Sequence, residues 1–291
     1  MSPPSPCVSV IIIVFNGEEF LQQAIVSVIS QTFVDWELLI VDDGSMDGSA
    51  NIAQRYADQD PRIQVLFHSD RKNHGMSAAR NLGLAHARGE FVGFLDADDV
   101  WMPEKLAEQI SILKAQPSAG MVYGRTLIWS SWADGEGSDF YYDLGLPPNK
   151  IYEPPILFHV LLANKSQTPT TCNALIRGSL TRQVGGFGEA FTGMFEDQVF
   201  FSKVLLRAPT FLSDRTWAKY RRHSSSCSAQ SAAAGEDEKA RLAFLKWLNA
   251  YAARENVQIG TRLRIWREVT RCGKKVIANR LRRSLSNRIL P

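Results

Sequence analysis

From Val8 to Val14 every position except Ser9 is apolar and most are β-branched. A run of that length without polar alternation predicts a short strand buried on both faces. In residues 19–30, Phe20, Leu21, Ala24, Ile25, Val28 and Ile29 recur at three-to-four spacing, which predicts a helix. Trp36 to Val41 reads as a second strand. It ends in Asp42-Asp43-Gly44-Ser45, a turn leading into a helix around 47–57. Ile63 to Phe67 predicts a third strand, Ser77 to Ala87 a third helix and Phe91 to Leu95 a fourth strand. Trp101-Met102-Pro103-Glu104 then opens another helix, with Pro103 in its first turn.

Strands alternating with helices of about three turns imply a mostly parallel α/β sheet flanked by helices. Ligands of such sheets bind beyond the carboxyl ends of the strands. Polar groups recur at those ends: Asn16, Asp42-Asp43, His68 to Asp70, and Asp96 to Asp99. After residue 120 the periodicity weakens. Trp129 to Pro148 reads as a long surface segment, Thr170 to Ile176 as a strand, Glu196 to Leu206 as a helix and Trp217 to Arg222 as a strand. Ser224 to Gly235, small and polar, reads as a flexible connection, and the remainder is helical in character with no internal repeat.

Composition narrows the class without changing this picture. The 291 residues are 45% hydrophobic and 22% charged, an ordinary globular profile with length for a real core. No run approaches the roughly 18 apolar residues that cross a bilayer. The start, Met1 to Pro6, lacks the basic and apolar regions of a secretory signal. A cytoplasmic location is expected. Cys7, Cys172, Cys227 and Cys272 show no CxxC spacing, so four separate thiols are expected rather than zinc or a disulfide framework.

The chemistry concentrates in "DADD". A strand end carrying "DAD" presents Asp96 and Asp98 to nearly the same point, because alternate residues share a face. Two carboxylates held close raise each other's pKa unless a cation intervenes, and a hard divalent metal, Mg2+ or Mn2+, resolves the repulsion. Asp99 either joins them or caps the helix beginning near Pro103.

"VSVIIIVFNGEEFLQQAIVSVISQ", "WELLIVDDGSMDGS", "GMSAARNLGL" and "GEFVGFLDADDVWMPEKL" follow one another in this order. Together they resemble the nucleotide-binding half of a family 2 glycosyltransferase of the GT-A fold, over most of residues 8–115. The resemblance resumes in "VGGFGEAFTGMFEDQVFFSKVLL" and "YRRHSSSCS". It implies a nucleoside diphosphate sugar donor, with a UDP-sugar favoured, and a hexosyl or N-acetylhexosaminyl group transferred with inversion to a glycan or lipid-linked acceptor. Polysaccharide biosynthesis at a bacterial cell envelope is the implied setting. By this resemblance Asp42 hydrogen-bonds the base, Val14 and Phe15 lie beside the base or ribose, and Arg80 stabilises the nucleotide. Asp96 faces the ribose and metal, and Asp98 ligates Mn2+ or Mg2+. The family usually carries Thr, Ser or Tyr near Val14-Phe15, and this chain departs from it there.

Acidic residues at a helix start favour the helix dipole, and Glu196-Asp197 has that reading from the residues alone. The resemblance implies instead that Asp197 is the general base and Glu196 its orienting neighbour. His223 of "YRRHSSS" is either a packing residue or a third metal ligand beside Asp98 and Asp96. Arg221 and Arg222 meet phosphate or are solvated. Trp129, Trp132, Tyr141 and Tyr142 stack on a sugar acceptor or form a local core. The implied organisation is 1–115 for the nucleotide-sugar half, 116–228 for the acceptor half of the same domain, and 236–291 for a basic helical extension.

Residues 262–291 hold ten Lys/Arg against one acid, Glu268, in a chain whose net charge is only +3. Leu263, Trp266, Val269, Val276, Ile277, Leu281 and Leu285 recur among them at helical intervals. A basic amphipathic helix of this kind suits an anionic membrane surface, which would make the protein peripheral on the inner face. The other reading docks the helix on the body of the protein. No nucleic-acid motif accompanies the charge.

A nicotinamide dehydrogenase needs GxGxxG after the first strand, and "FNGEEF" has one glycine. A processive polymerase would carry a QxxRW segment and membrane spans, both missing from the sequence, so one sugar per encounter is expected. A catalytically inactive sugar-binding module and a metal-dependent nucleotidyltransferase are the alternatives.

Overall fold

The computed structural model describes residues 5–133, 137–191 and 193–289, with side chains through Asn279 apart from Ala232. Met1 to Pro4, Asp134 to Glu136, Thr192 and the side chains of Leu281 and Leu285, all used in the reading above, lie outside the described residues. The chain divides into two compact units, Met1–His223 and Ser224–Pro291.

The first unit opens with four strands, β1 (Val8–Val14), β2 (Trp36–Asp42), β3 (Ile63–Phe67) and β4 (Phe91–Asp96), alternating with α1 (Leu21–Ile29), α2 (Ser49–Gln59) and α3 (Met76–His86). All four strands are parallel, in the order β3-β2-β1-β4. The order reverses at β1, because β2 and β3 build outward on one side of it and β4 lies on the other. That is the switch point at which open α/β sheets leave a crevice. Register sets the height of each strand end: Val14 lies opposite Asp42, and Ile13 opposite Asp96. Three strands therefore deliver their last residues to one edge.

The run from Val8 to Val14 is buried throughout. One face of β1, carrying Val8, Val10 and Ile12, joins Leu21, Ile25 and Val28 of α1 in a core with Leu38 and Ile40. Ser9, the polar break in the run, hydrogen-bonds Glu37 at 2.6 Å, and Glu37 pairs with Arg88 at 2.7 Å. The buried polar group is thus satisfied instead of left to destabilise the strand.

The second half completes a nine-stranded sheet with β5 (Val100–Trp101), β6 (Met121–Trp129), β7 (Lys150–Tyr152), β8 (Ala174–Arg177) and β9 (Thr210–Arg221). Antiparallel β8 joins β4 to β6, so the parallel and mixed halves form one sheet. Helices α4 (Lys105–Ala115), α5 (Ile156–Ala163), α6 (Gly178–Gln183) and α7 (Glu196–Arg207) accompany these strands. Phe187 and Phe200 stack at 4.2 Å, and Phe94 of β4 meets both rings edge-on. This aromatic cluster ties α7 to the underside of β4.

Three expectations need correction. The strand expected over Thr170–Ile176 shrinks to β8, because Asn173 accepts the Thr170 amide at 2.8 Å and closes a turn ahead of it. The strand expected from Trp217 begins at Thr210. Asp99 caps no helix: α4 starts at Lys105 after Glu104, and Asp99 is buried elsewhere.

The second unit holds α8 (Cys227–Ala234), α9 (Asp237–Arg254) and α10 (Ile259–Ile289). Where a flexible connection was expected, the alanines of 229–234 carry a turn-and-a-half or more of helix, in keeping with alanine's propensity. Among the described residues no disulfide joins the four cysteines. Among the described residues no helix is long and apolar enough to cross a membrane.

Candidate functional site

The crevice at the carboxyl edge of β1, β2 and β4 is built from the turns that follow these strands. After β2, Asp42 folds back on its own turn: its Oδ1 accepts the amides of Gly44 and Ser45 at 3.0 and 2.8 Å. Gly44 has φ +83°, and a Cβ there would press on the Lys72–Asn73 backbone at 2.7–2.8 Å, so the turn requires glycine. Asp42 is 2% exposed, and among the described residues its Oδ2 has no partner. A buried carboxylate oxygen left open is costly unless a ligand donor completes it. Asp43, beside it, accepts the amides of His74 and Gly75 and so fixes the entry to α3. Val14 is buried at the end of β1, while Phe15, next along the chain, stands 50% exposed at the crevice.

Arg80 projects from α3 into the centre of the site. One of its amino groups donates to Asp96 Oδ1 at 2.6 Å and the other to Glu196 Oε1. Burial alone would lower the Arg80 pKa, but the two carboxylates outweigh it and hold the guanidinium firmly charged. Burial pushes the Glu196 carboxyl upward, with Arg80 pulling it back. Asp96 Oδ2 accepts the Thr171 hydroxyl at 2.8 Å. The end of β4, the middle of the first helical layer and the start of α7 are therefore joined through one cation.

Asp197 follows Glu196 in the first turn of α7, behind Phe195 in a left-handed conformation (φ 71°). One oxygen of Asp197 accepts the Gln198 amide at 2.7 Å. Desolvation raises the Asp197 carboxyl above the usual aspartate range, and Arg80 opposes the shift.

The strand ends at Asp96, so Ala97 to Asp99 form a turn and the expected shared face of Asp96 and Asp98 does not arise. Each aspartate meets a different partner. Asp98 Oδ2 lies 2.9 Å from His223 Nε2. Asp99, 1% exposed, accepts the Arg221 amide at 3.0 Å, and burial with its two acidic neighbours lifts its carboxyl well above the usual range. Among the described residues no group of three or more His, Cys, Asp or Glu converges as a metal cage. A carboxylate–imidazole pair with an exposed edge nonetheless suits Mn2+ or Mg2+, which take few protein ligands and fill the rest of their shell with phosphate and water. Asp98 is one-third exposed and meets that requirement.

Arg221 is not a phosphate contact. It is 2% exposed, donates through Nε to the Asp98 carbonyl and reaches Gln23 Oε1. Its guanidinium lies 4.5–4.9 Å from the ring centres of Trp129, Phe20 and Trp132. The two tryptophans are thus the walls of a cation cage, while Tyr141 and Tyr142 stay about half exposed. Thr171 and the Arg221 cage are the parts of the site that the sequence reading missed. The only signal for either was a small polar run, "TPTT", and an Arg pair beside His223.

A family model described as Glycosyl transferase family 2 matches residues 9–184, well over half of the chain. The chain belongs to this family. TuaG of Bacillus subtilis, named for teichuronic acid biosynthesis, is 37% identical over 123 residues, which cover 42% of this chain and 48% of TuaG. Glycosyltransferase GlyA of Streptococcus pneumoniae is 33% identical over 47% of this chain and 19% of its own length. The chain spans about half or less of these curated relatives. Among solved structures, S. aureus TarS 1-349 in complex with UDP-GlcNAc superposes with a TM-score of 0.72 at 20% identity, over 91% of this chain and 72% of that one. The mannosyltransferase PcManGT from Pyrobaculum calidifontis, in complex with GDP-Man and Mn2+, gives 0.58 at 20% identity, over 87% of this chain and 65% of its own. These likenesses place the chain in the family's GT-A fold, and its nine-stranded sheet flanked by helices agrees with that.

Proposed function

We propose that the protein transfers one sugar from a nucleoside diphosphate sugar, with a UDP-sugar favoured, to a hydroxyl of a glycan or lipid-linked acceptor, with inversion at the anomeric carbon. The observation that carries this reading is the Arg80 bridge, which locks the β4 edge at Asp96 to Glu196 at the start of α7. This bridge supports a role for Asp197, the residue after Glu196, next to the edge at which the donor would bind. The donors held by TarS and PcManGT, with UDP-GlcNAc and GDP-Man bound, set the range to screen.

In this reading Asp42 Oδ2 accepts an N–H of the base, Phe15 lies against base or ribose, and Asp96 faces the ribose. Asp98 and His223 would hold the divalent cation, which would supply positive charge to the leaving diphosphate. Asp197 takes the proton of the acceptor hydroxyl while the hydroxyl oxygen bonds to the anomeric carbon and the bond from that carbon to the diphosphate oxygen breaks. A single displacement needs only one such base. Tyr141 and Tyr142 offer exposed aromatic faces to the acceptor sugar. The carboxyl of Asp197, raised by desolvation, is a stronger base than an exposed aspartate.

The test is transfer by Asp197→Asn with each nucleotide sugar, read beside donor binding. Loss of turnover by about a hundredfold or more with donor binding kept supports the base. Equal turnover removes Asp197 from the chemistry. Donor binding without turnover in the unaltered protein, across all acceptors tried, would favour the inactive binding module.

A further inference from the structure

The helices α9 and α10 pack side by side as an antiparallel pair after the turn at 255–258. Arg241 meets Glu268, and Cys272 Sγ donates to the Glu238 carbonyl. Phe244, Leu245, Leu248 and Ala252 of α9 and Thr261, Ile265 and Cys272 of α10 are buried. This accounts for one face of α10 only. On another, Ile259, Leu263, Trp266 and Ile277 are between 51% and 69% exposed. At 3.6 residues per turn these four fall within about 60° of arc, turned away from the α9 contact. Arg267 and Lys274 border the stripe, and Arg264, Arg271 and Lys275 lie beyond them on the same side, all exposed. Arg271 is paired with Glu268. The helix thus has three faces: one docked, one apolar and one basic.

We infer that this face of α10 seats on an anionic bilayer surface, with Trp266 at headgroup depth and the flanking Arg/Lys against acidic lipid headgroups. Charge decides the occupant. A second copy would bring the same ten bases of 262–291 against one acid, so apposing two such faces is opposed by like-charge repulsion. An anionic lipid surface complements both the apolar stripe and its basic margin. The helix lies on the surface and does not span it, consistent with its polar remaining faces. The inference stands independently of the transfer chemistry, because it concerns the second unit alone.

The full chain is sedimented with vesicles of phosphatidylcholine alone and with vesicles in which phosphatidylglycerol replaces part of it. Binding to the second kind only, weakened by salt, is expected. Each basic group near such a surface contributes about fivefold in partitioning, so Lys274→Gln with Lys275→Gln lowers binding about 25-fold. Trp266→Ser lowers it by roughly tenfold through lost apolar burial. Lys114→Gln with Arg207→Gln, the same charge change in the other unit, leaves it unchanged. All these positions are exposed, and unchanged circular dichroism and melting establish that each variant folds. Equal binding to neutral vesicles overturns the inference. So does equal loss in the control pair, or binding unaffected by both α10 variants. Self-association abolished by Trp266→Ser, without vesicle binding, would assign the face to a second copy instead.

Discussion

Replacing Arg80 by Met keeps the length and the apolar stem of the side chain while removing the cation between Asp96 and Glu196. The two carboxylates then face each other in a site where Glu196 is 5% exposed and already has one oxygen without a partner. Breaking a buried ion pair by removing one partner costs about 3–5 kcal/mol, because the remaining charge is left unpaired. In a unit of this size each kcal/mol moves the melting temperature by about 2–4 °C, so a fall of roughly 6–20 °C is expected. The sign of the pH dependence follows from Glu196. Without Arg80 the Glu196 carboxyl, already raised by burial, rises further above its unfolded value, so the folded protein binds more protons. Stability is then retained below the unfolded carboxylate range and lost as pH rises through the raised value. The deficit of Arg80→Met should therefore be larger at pH 8 than at pH 5. Adding Glu196→Gln removes one of the stranded charges and should recover a substantial part of the loss at pH 8. Differential scanning fluorimetry at both pH values reads all of this. If Arg80→Met melts within about 2 °C of the unaltered protein, or Glu196→Gln gives no relief, Arg80 is not the electrostatic bridge drawn here.

Asp42→Asn keeps the acceptor for the Gly44 and Ser45 amides and turns the open oxygen into a donor; nucleotide affinity should fall about ten- to a hundredfold with melting unchanged, by titration calorimetry. Desolvation raises Asp197, and a base must be deprotonated to act; kcat/KM should therefore rise with pH through a value above the usual aspartate range, and this acid limb should vanish in Asp197→Asn. Lys105 is fully buried, donates to Gln109 and the Ala174 carbonyl, and is pulled down by burial to about 7. Between that value and 10.5 the unfolded chain holds the extra proton, so stability should rise with pH by up to about 1 kcal/mol per unit, and Lys105→Met should lose that slope in urea titrations at pH 7 and 9.

Legibility in the sequence followed burial. Strands β1, β2 and β4 are covered on both faces, so their residues form dominantly apolar runs broken only by the mutually bonded Ser9 and Glu37, and the alternation with α1, α2 and α3 announces a parallel sheet. Strand β9 is harder to see because Ser213, Asp214 and Arg215 interrupt it where its register against β6 shifts. Asp42, Asp96 and Asp98 are conspicuous as acids at strand ends, whereas Asp197 at a helix start is set apart from an ordinary dipole-favouring acid only by the family resemblance. Their pairings are not legible in the same way. Arg80 contacts residues 16 and 116 positions away, and the Arg221 cage joins Phe20 to Trp129 and Trp132. Such pairings belong to the tertiary fold, and no local spacing encodes them. The strand rule misplaced Asp98 relative to Asp96 because alternation holds only while the strand continues, and β4 ends one residue after Leu95.

The central claim is that the crevice beyond β1, β2 and β4 holds a nucleoside diphosphate with a divalent cation on Asp98 and His223. Melting is measured with UDP, GDP, CDP and dTDP, each with and without Mn2+, on the unaltered protein and Asp98→Ala. A ligand that binds only the folded state raises the melting temperature by mass action. One nucleotide, with UDP expected, should raise it in the presence of Mn2+ and lose the effect in Asp98→Ala. No shift with any of the four, or a shift equally large without Mn2+ and in Asp98→Ala, would contradict the site.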